Sequence, residues 1–88
     1  MIYMISYELH APANNESDVE AAIDSLGICR KLLYNTYVVK SSMGTFGIQS
    51  IVTRPLDSRD RMVISQVNKP VAGCLTEEEW SWIKNDTL

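Results

Sequence analysis

The sequence predicts a single α+β domain over residues 1–88, with two helices on one face of an antiparallel sheet. The main observation is the order of the patterns, which runs strand, helix, strand, strand, helix, strand and then a short final helix. A second observation is that Gly, Pro or Asn residues lie between the patterns, where turns are expected. The composition, with 45% hydrophobic and 22% charged residues, is ordinary for a globular domain.

The first strand is predicted over residues 2–9. Alternate residues of a strand point to opposite faces, and here both sets are mostly apolar: Ile2, Met4 and Ser6 on one face, and Tyr3, Ile5, Tyr7 and Leu9 on the other. This two-sided pattern is typical of a central strand. Residues 11–15 are expected to form a loop, because Pro12 cannot continue a strand ladder.

The first helix is predicted to begin at a capping box, Ser17-Asp18-Val19-Glu20. Apolar residues then follow at the spacing of one helical face, namely Val19, Ala22, Ile23 and Leu26. Gly27 is expected to end this helix.

A hairpin is predicted next, with strands over residues 29–33 and 36–41. Asn35 lies in its turn, and Asn tolerates the positive φ of a tight turn. A single long bent strand over residues 28–42 is the alternative.

A weaker helix is predicted within residues 42–56, because Gly44 and Gly47 each lower helix propensity by about 1 kcal/mol relative to Ala. It should end before Pro55. A polar turn over residues 57–60 leads into the fourth strand.

The fourth strand is predicted over residues 61–67. Further on, Thr76-Glu77-Glu78-Glu79 is a second capping box, and Leu75 and Trp80 can form a hydrophobic staple beside it. Trp80 and Ile83 then share a face of a last helix that packs back on the domain. This order of elements is that of a ferredoxin-like fold.

Two helices on one face leave the other face of the sheet without a cover, although the first strand is apolar on both faces. We therefore expect a symmetric dimer through the open sheet face. The expected interface residues are aromatic, namely Tyr3, Tyr7, Tyr37 and Trp82. A domain this small buries only about 60–65% of its unfolded surface, so that a partner subunit would add stability.

The charge is unevenly distributed around a net value of −3. Residues 1–29 carry acidic side chains only, residues 30–69 are basic overall, and residues 70–88 are acidic again. The basic middle can bind phosphates, pair with an acidic surface of the protein or its partner, or simply be solvated.

Individual basic and aromatic residues carry the ligand-binding hypotheses. Arg30, Lys31 and Lys40 of the hairpin are candidate nucleic-acid or phosphate contacts. Tyr34 and Tyr37 can stack on bases or pack in the core or an interface. Near the polar turn, local ion pairs are expected among Arg54, Arg59, Arg61, Asp57 and Asp60.

Cys29 and Cys74 are too few for a disulfide scaffold and too far apart for a zinc knuckle. The N-terminus shows no signal-peptide pattern, and no apolar run is long enough to span a bilayer. A cytoplasmic protein without a membrane partner is therefore expected.

Glu8 is the candidate catalytic or metal-binding acid, because a strand end holds a carboxylate firmly while the loop leaves it reachable. His10 is a candidate general acid or base. The alternatives are an ordinary exposed glutamate and a plain loop histidine. No P-loop, GxGxxG, nucleophile elbow, HExxH or CxxC pattern occurs, which removes most well-marked enzyme classes.

Several short segments resemble a known group of small bacterial and phage proteins. Tyr7-Glu8-Leu9 followed by Pro12 is similar to a Y-D-L-x-x-P ending of the first strand, and residues 33–40 are similar to L-x-S-T-W-L-V-K. Residues 25–27, 56–60 and 80–83 match as well. The group is related to the CRISPR-associated small dimeric nuclease and adaptation-subunit family and, more distantly, to the virulence-associated toxin D ribonucleases.

This resemblance implies a dimer in which the carboxylates at the two first-strand ends hold a divalent metal, Mg²⁺ or Mn²⁺, for phosphodiester hydrolysis. Glu8 stands where the family carries Asp, and Cys29 and Arg30 stand where the group has tryptophans.

Three functional hypotheses follow. The first is a homodimeric binding or accessory module that contacts nucleic acid, a nucleotide or a protein in a defence or counter-defence setting and needs no cofactor. The second is a weak metal-dependent nuclease that uses Glu8 of each subunit. The third is a protein inhibitor that presents an acidic face to a basic partner, formed by Glu16, Asp18, Glu20 and Asp24.

Overall fold

A computed structural model describes residues 1–84 and confirms the α+β class, with one four-stranded antiparallel sheet and three helices. The strands are β1 (Ile2–Glu8), β2 (Ile28–Leu33), β3 (Thr36–Lys40) and β4 (Arg61–Val67). The helices are α1 (Pro12–Asp24), α2 (Thr45–Val52) and α3 (Glu77–Lys84). Among the described residues, no helix has the length and apolar character needed to cross a membrane.

The strands are ordered β2-β3-β1-β4, which is compatible with a ferredoxin-like fold. β1 is central, as its two-sided apolar pattern predicts, because it pairs with β3 on one side and β4 on the other. The hairpin is also confirmed, since β2 pairs with β3 and a single bent strand does not form. The hairpin turn forms without a positive φ at Asn35, since only glycines have positive φ among the described residues.

The main core lies between the sheet and helices α1 and α2. Tyr3, Ile5 and Tyr7 of β1 point into it, together with Tyr37 and Val39 of β3. The helices contribute Val19, Ile23, Leu26, Ile48 and Val52. Tyr3, Tyr7 and Tyr37 are therefore only 2%, 4% and 6% exposed. Their predicted place in an interface through the other sheet face is wrong, because the helices cover them.

A second, smaller core forms on the opposite face of the sheet. Ile2 and Val38 are buried there against Ile83 of α3, and Trp80 and Trp82 pack around them. The last helix thus packs back on the domain, and this face is open over only part of its extent. Trp82, predicted to face a partner, contributes to this intramolecular cover.

Helix α1 begins six residues earlier than the capping box predicts, so the loop expected over residues 11–15 is wrong from Pro12 onward. Pro12 occupies its first turn, where a missing N–H is harmless and the fixed φ suits a helix. Ser17 consequently lies inside the helix and caps nothing. The second capping box is confirmed, because the Thr76 N–H donates to Glu79 Oε1 (2.9 Å) and the Glu79 N–H donates to Thr76 Oγ1 (3.2 Å).

Helix α2 is shorter than the segment predicted for it. Gly44 precedes it with a φ of 86°, a conformation that suits glycine, and the helix ends before Pro55 as expected. Ile48 and Val52 provide its buried face. The polar turn over residues 57–60 then leads directly into β4.

Candidate functional site

A shallow depression lies on the part of the second sheet face that α3 leaves uncovered. We call this surface the open half-face and define it by Ser6, Glu8, Thr36, Arg61 and Val63. The register explains the grouping, because directly paired residues share a face: Ser6 pairs with both Thr36 and Val63, and Glu8 pairs with Arg61. The predicted strand-end acid therefore lies at its rim.

Glu8 forms an ion pair with its cross-strand neighbour. Arg61 Nη2 donates to Glu8 Oε1, and both side chains are largely exposed. This hydrogen bond and the negative charge of Glu8 raise the pKa of Arg61. The sequence predicts local ion pairs of Arg61 with Asp57 or Asp60, and this is wrong: β4 begins at Arg61, so the side chain is aligned with Glu8 instead.

The other polar groups of the open half-face also bond to each other. Ser6 Oγ and Thr36 Oγ1 lie 2.6 Å apart, and Thr36 is buried. At the end of β1, Asn35 Nδ2 donates to the Tyr7 carbonyl (2.8 Å), and the Tyr7 N–H donates to the Asn35 carbonyl (3.1 Å). Asn35 thereby fixes the hairpin turn to β1, a use that its turn propensity does not reveal.

His10 lies beside this surface in the loop that follows β1. Its N–H donates to Asp60 Oδ1 (2.8 Å), while Asp60 Oδ2 accepts from Asn15 Nδ2 (2.7 Å) and from the Asp57 N–H (2.9 Å). These bonds, led by the one from Asp57, lower the pKa of Asp60. Asp60 thus acts as an acceptor that ties two loops together, and it bonds the backbone of His10 rather than the imidazole.

The surroundings of Glu8 offer few free ligands for a hydrolytic metal ion within one chain. The Glu8 carboxylate is already paired with Arg61, and Mg²⁺ requires several oxygen ligands in near-octahedral geometry. Within residues 1–84, no three His, Cys, Asp or Glu side chains lie close enough together to hold a metal ion. A single subunit therefore does not fit such a metal.

The hairpin cations do not come together on one surface. Arg30 Nη1 lies 3.0 Å from Glu78 Oε1, and Lys40 Nζ lies 4.4 Å from the centre of the Trp82 ring, so both contact α3. Lys31 points to the helix side of the sheet, because neighbouring residues of a strand face opposite sides, and its Nζ lies 3.8 Å from Glu20 Oε2. Phosphate or nucleic-acid binding by these three residues stays a prediction.

The half-buried cysteine is not activated as a nucleophile. Cys29 Sγ donates to Asp24 Oδ1 (3.1 Å). Burial, followed by this hydrogen bond, raises the pKa of Cys29 to about 11, which keeps it as a thiol at neutral pH.

The residues that organise the site, apart from Glu8, escaped prediction from the sequence. Asn35 and Asp60 lie in polar segments that predict only turns, and the sequence predicts a loop at Asn15, which the structure has in α1. Arg61 pairs with Glu8, which is 53 residues earlier in the chain. Pairing over such separations depends on sheet order and register, which local patterns do not fix.

No protein-family model, curated protein or solved structure matches this chain. The likeness of its short motifs to nuclease and adaptation-subunit proteins stays a prediction.

Proposed function

We propose that the chain is a homodimeric ferredoxin-like binding module whose two copies meet through the open half-face. The observation that carries the proposal is a row of side chains across the part of the sheet that α3 leaves open: Val63 of β4 is 62% exposed, Leu33 of β2 is 56% exposed, and the hydrogen-bonded Ser6 and Thr36 lie between them. Exposed apolar residues on a small domain favour contact with another protein surface.

The polar groups of the open half-face support a protein contact rather than a polar substrate. Ser6 bonds to Thr36, and Glu8 bonds to Arg61. Because these groups are already paired, covering them with an apolar surface leaves few hydrogen bonds unmade. A catalytic site, by contrast, keeps donors and acceptors free for its substrate.

A second copy fits this surface for reasons of charge. A two-fold contact brings the same patch of both subunits together, so it must be complementary to itself. The open half-face carries one acid and one base, Glu8 and Arg61. Rotation about a two-fold axis can therefore place Glu8 of each subunit near Arg61 of the other.

The test is the mass in solution by light scattering at micromolar concentration. We expect the wild type to have twice the mass of one chain and Val63→Glu to have the mass of one chain, because two buried carboxylates would face each other. Met43→Glu is the matched control, since Met43 is 46% exposed but lies against Gly47 of α2, on the other side of the sheet. A monomeric wild type, or dissociation by Met43→Glu alone, would contradict the proposal.

The resemblance supports a role for this dimer as an accessory module in bacterial or phage defence. The nuclease remains the alternative, and it requires Mg²⁺- or Mn²⁺-dependent cleavage of RNA or DNA that Glu8→Ala abolishes. We expect no such cleavage, because the Glu8 carboxylate already accepts a hydrogen bond from Arg61.

A further inference from the structure

The outer edge of β4 has no neighbouring strand among residues 1–84. β4 is the last strand in the order β2-β3-β1-β4, and β1 pairs with it along all seven of its residues. The backbone groups of β4 that point away from β1 therefore have no partner in the sheet. Such an edge is a template on which another extended chain can pair.

The register identifies the backbone groups that face outward. The Tyr7 N–H donates to the Asn35 carbonyl, on the β3 side of β1. Because backbone groups alternate in direction along a strand, the even-numbered residues of β1 bond to β4, where their partners are the odd-numbered residues. The N–H and C=O groups of Met62, Ile64 and Gln66 therefore point outward, and no loop backbone group within residues 1–84 bonds to them.

The two edges of the sheet differ in how they are protected. β2, the opposite edge, has an irregular register between Lys31 and Leu33 and carries the charges of Arg30 and Lys31. Bulges and charged side chains commonly keep an edge strand from pairing with another chain. From Met62 to Val67, β4 has a continuous register and no charged residue or proline. β4 is thus the edge more accessible to a further strand.

A small pocket lies along this edge, between α2 and β4. Its volume is about 230 Å³, and Phe46 of α2 and Met62 and Ile64 of β4 are among the residues that line it. Phe46 is 82% exposed, so its ring has apolar surface available for a further contact. Alternate side chains of a strand added to β4 would point to the helix side of the sheet. The pocket has room for one large apolar side chain of such a strand.

The charge around the edge favours an acidic partner over a second copy of this chain. Residues 41–70 include two acidic side chains and four cationic ones, namely Arg54, Arg59, Arg61 and Lys69. Both oxygens of one of these acids, Asp60, already accept N–H groups. Antiparallel pairing of two β4 strands would bring Arg61 of one copy toward Lys69 of the other, and like charges on paired strands are destabilising.

We propose that β4 binds an extended segment of a protein partner, which adds to the sheet as a fifth strand. Its backbone pairs with the outward groups of Met62, Ile64 and Gln66. An apolar side chain enters the pocket beside Phe46, and acidic residues at its ends lie near the cations that flank β4. In this mode of recognition, backbone hydrogen bonds supply affinity and alternate side chains supply specificity. The inference rests on the proposed role as a binding module but not on the dimer.

The test is an NMR titration of the isotope-labelled full chain with synthetic peptides of the length of β4. The peptides alternate valine and threonine, have leucine, isoleucine or phenylalanine at the centre, and end in aspartate or in lysine. We expect saturable shifts of the β4 amides with the aspartate peptides. The lysine peptides should bind about tenfold or more weakly, because every exposed charge contact changes sign.

Amide hydrogen exchange identifies how the peptide binds. The N–H groups of Met62, Ile64 and Gln66 should exchange quickly in the free chain and slowly in the complex. Those of Val63 and Ser65, which face β1, should change little. The proposal would be overturned by shifts without this alternate protection, by shifts centred on β2, by equal affinity for the lysine peptides, or by no saturable shift with any aspartate peptide.

Two variants each remove one part of the contact. Gln66→Pro removes an outward N–H and leaves the pairing with β1 intact, because proline is tolerated on the free side of an edge strand. Phe46→Ala removes one wall of the pocket. We expect each change to weaken binding about three- to tenfold. Tyr34→Ala, which truncates a similarly exposed aromatic residue in the hairpin turn, should change affinity by less than about twofold.

Unchanged affinity in Phe46→Ala would overturn the proposal even if Gln66→Pro does not fold, because truncation of an exposed ring leaves the core intact. Light scattering of the same samples separates this site from the dimer. A dimeric wild type that binds no aspartate peptide contradicts this inference alone, whereas a monomeric wild type that binds the peptide supports it and contradicts only the dimer.

Discussion

At the scale of single residues, Asp60 does the most to hold the loops around the site. Its carboxylate receives N–H groups from His10 in the loop after β1, from Asn15 in the first turn of α1, and from Asp57 in its own turn. Asn15 also donates to the Pro55 carbonyl (3.0 Å), which adds a second link between α1 and the segment before β4. The end of β1 is thereby positioned next to the start of β4.

The lowered pKa of Asp60 predicts how this link responds to acid. Because the folded pKa lies below the unfolded value of about 3.9, the stabilisation is complete above that value and is lost as the pH falls through the folded pKa. Asp60→Asn should lower the Tm at pH 7 and reduce the further loss of Tm in acid. Thermal unfolding followed by circular dichroism between pH 7 and about 2.5 measures both.

The control for this prediction is Asp18→Asn, since Asp18 is exposed and accepts no hydrogen bond within residues 1–84. It should leave the Tm at pH 7 close to that of the wild type. A Tm of Asp60→Asn that equals the wild type at every pH would show that the three hydrogen bonds contribute nothing.

The sequence supplies only part of this residue-level picture. The alternation in β1 correctly separates Tyr3, Ile5 and Tyr7 from Ile2 and Met4. It does not say which set the helices cover, because both sets are apolar. The pattern therefore predicts neither that the tyrosines face the helices nor that Glu8 pairs with Arg61.

At the scale of elements, helices α1 and α3 differ in how their first turns are capped. Helix α3 has a true capping box, whereas α1 starts at Pro12 without a side-chain cap. Both patterns have the same S/T-x-x-E form, so local sequence cannot separate them. The distinction depends on whether helical structure already exists upstream of the serine or threonine.

Replacing the capping threonine should loosen α3. We expect Thr76→Ala to reduce the free energy of unfolding by about 1 kcal/mol. Both tryptophans of the chain belong to α3, so their fluorescence reports on this helix directly. Urea unfolding followed by tryptophan emission measures the change.

Ser17→Ala is the matched variant, because Ser17 lies inside α1. It should be neutral or slightly stabilising, since alanine has the higher helix propensity. If Ser17→Ala reduced the free energy of unfolding by about 1 kcal/mol, which is what a true N-cap contributes, α1 would begin at Ser17 instead.

At the scale of the whole molecule, the sheet separates two cores of unequal size. Ile48 is fully buried in the larger core and Ile83 is 3% exposed in the smaller one. The smaller core depends on a helix that joins the rest through a long connector and is held by Arg30 and Lys40. Elements with few buried contacts open at lower free energy than the centre of a domain.

Equivalent truncations should therefore have different consequences. Ile48→Ala should reduce the free energy of unfolding by about 2–5 kcal/mol and shift all probes together. Ile83→Ala should shift the tryptophan transition to lower urea than the circular dichroism transition of the sheet, because α3 detaches first. Coincident transitions in Ile83→Ala would show that both cores unfold as one unit.

The central position of β1 also has a consequence for biosynthesis. β1 is synthesised before the other three strands, yet its neighbours are the third and fourth strands, and Glu8 meets Arg61 only once β4 has been made. Until then, a strand that is apolar on both faces lacks both of its partners, and such exposed segments are prone to aggregate. The feature that makes β1 the centre of the finished sheet thus makes the nascent chain dependent on rapid completion or on a chaperone.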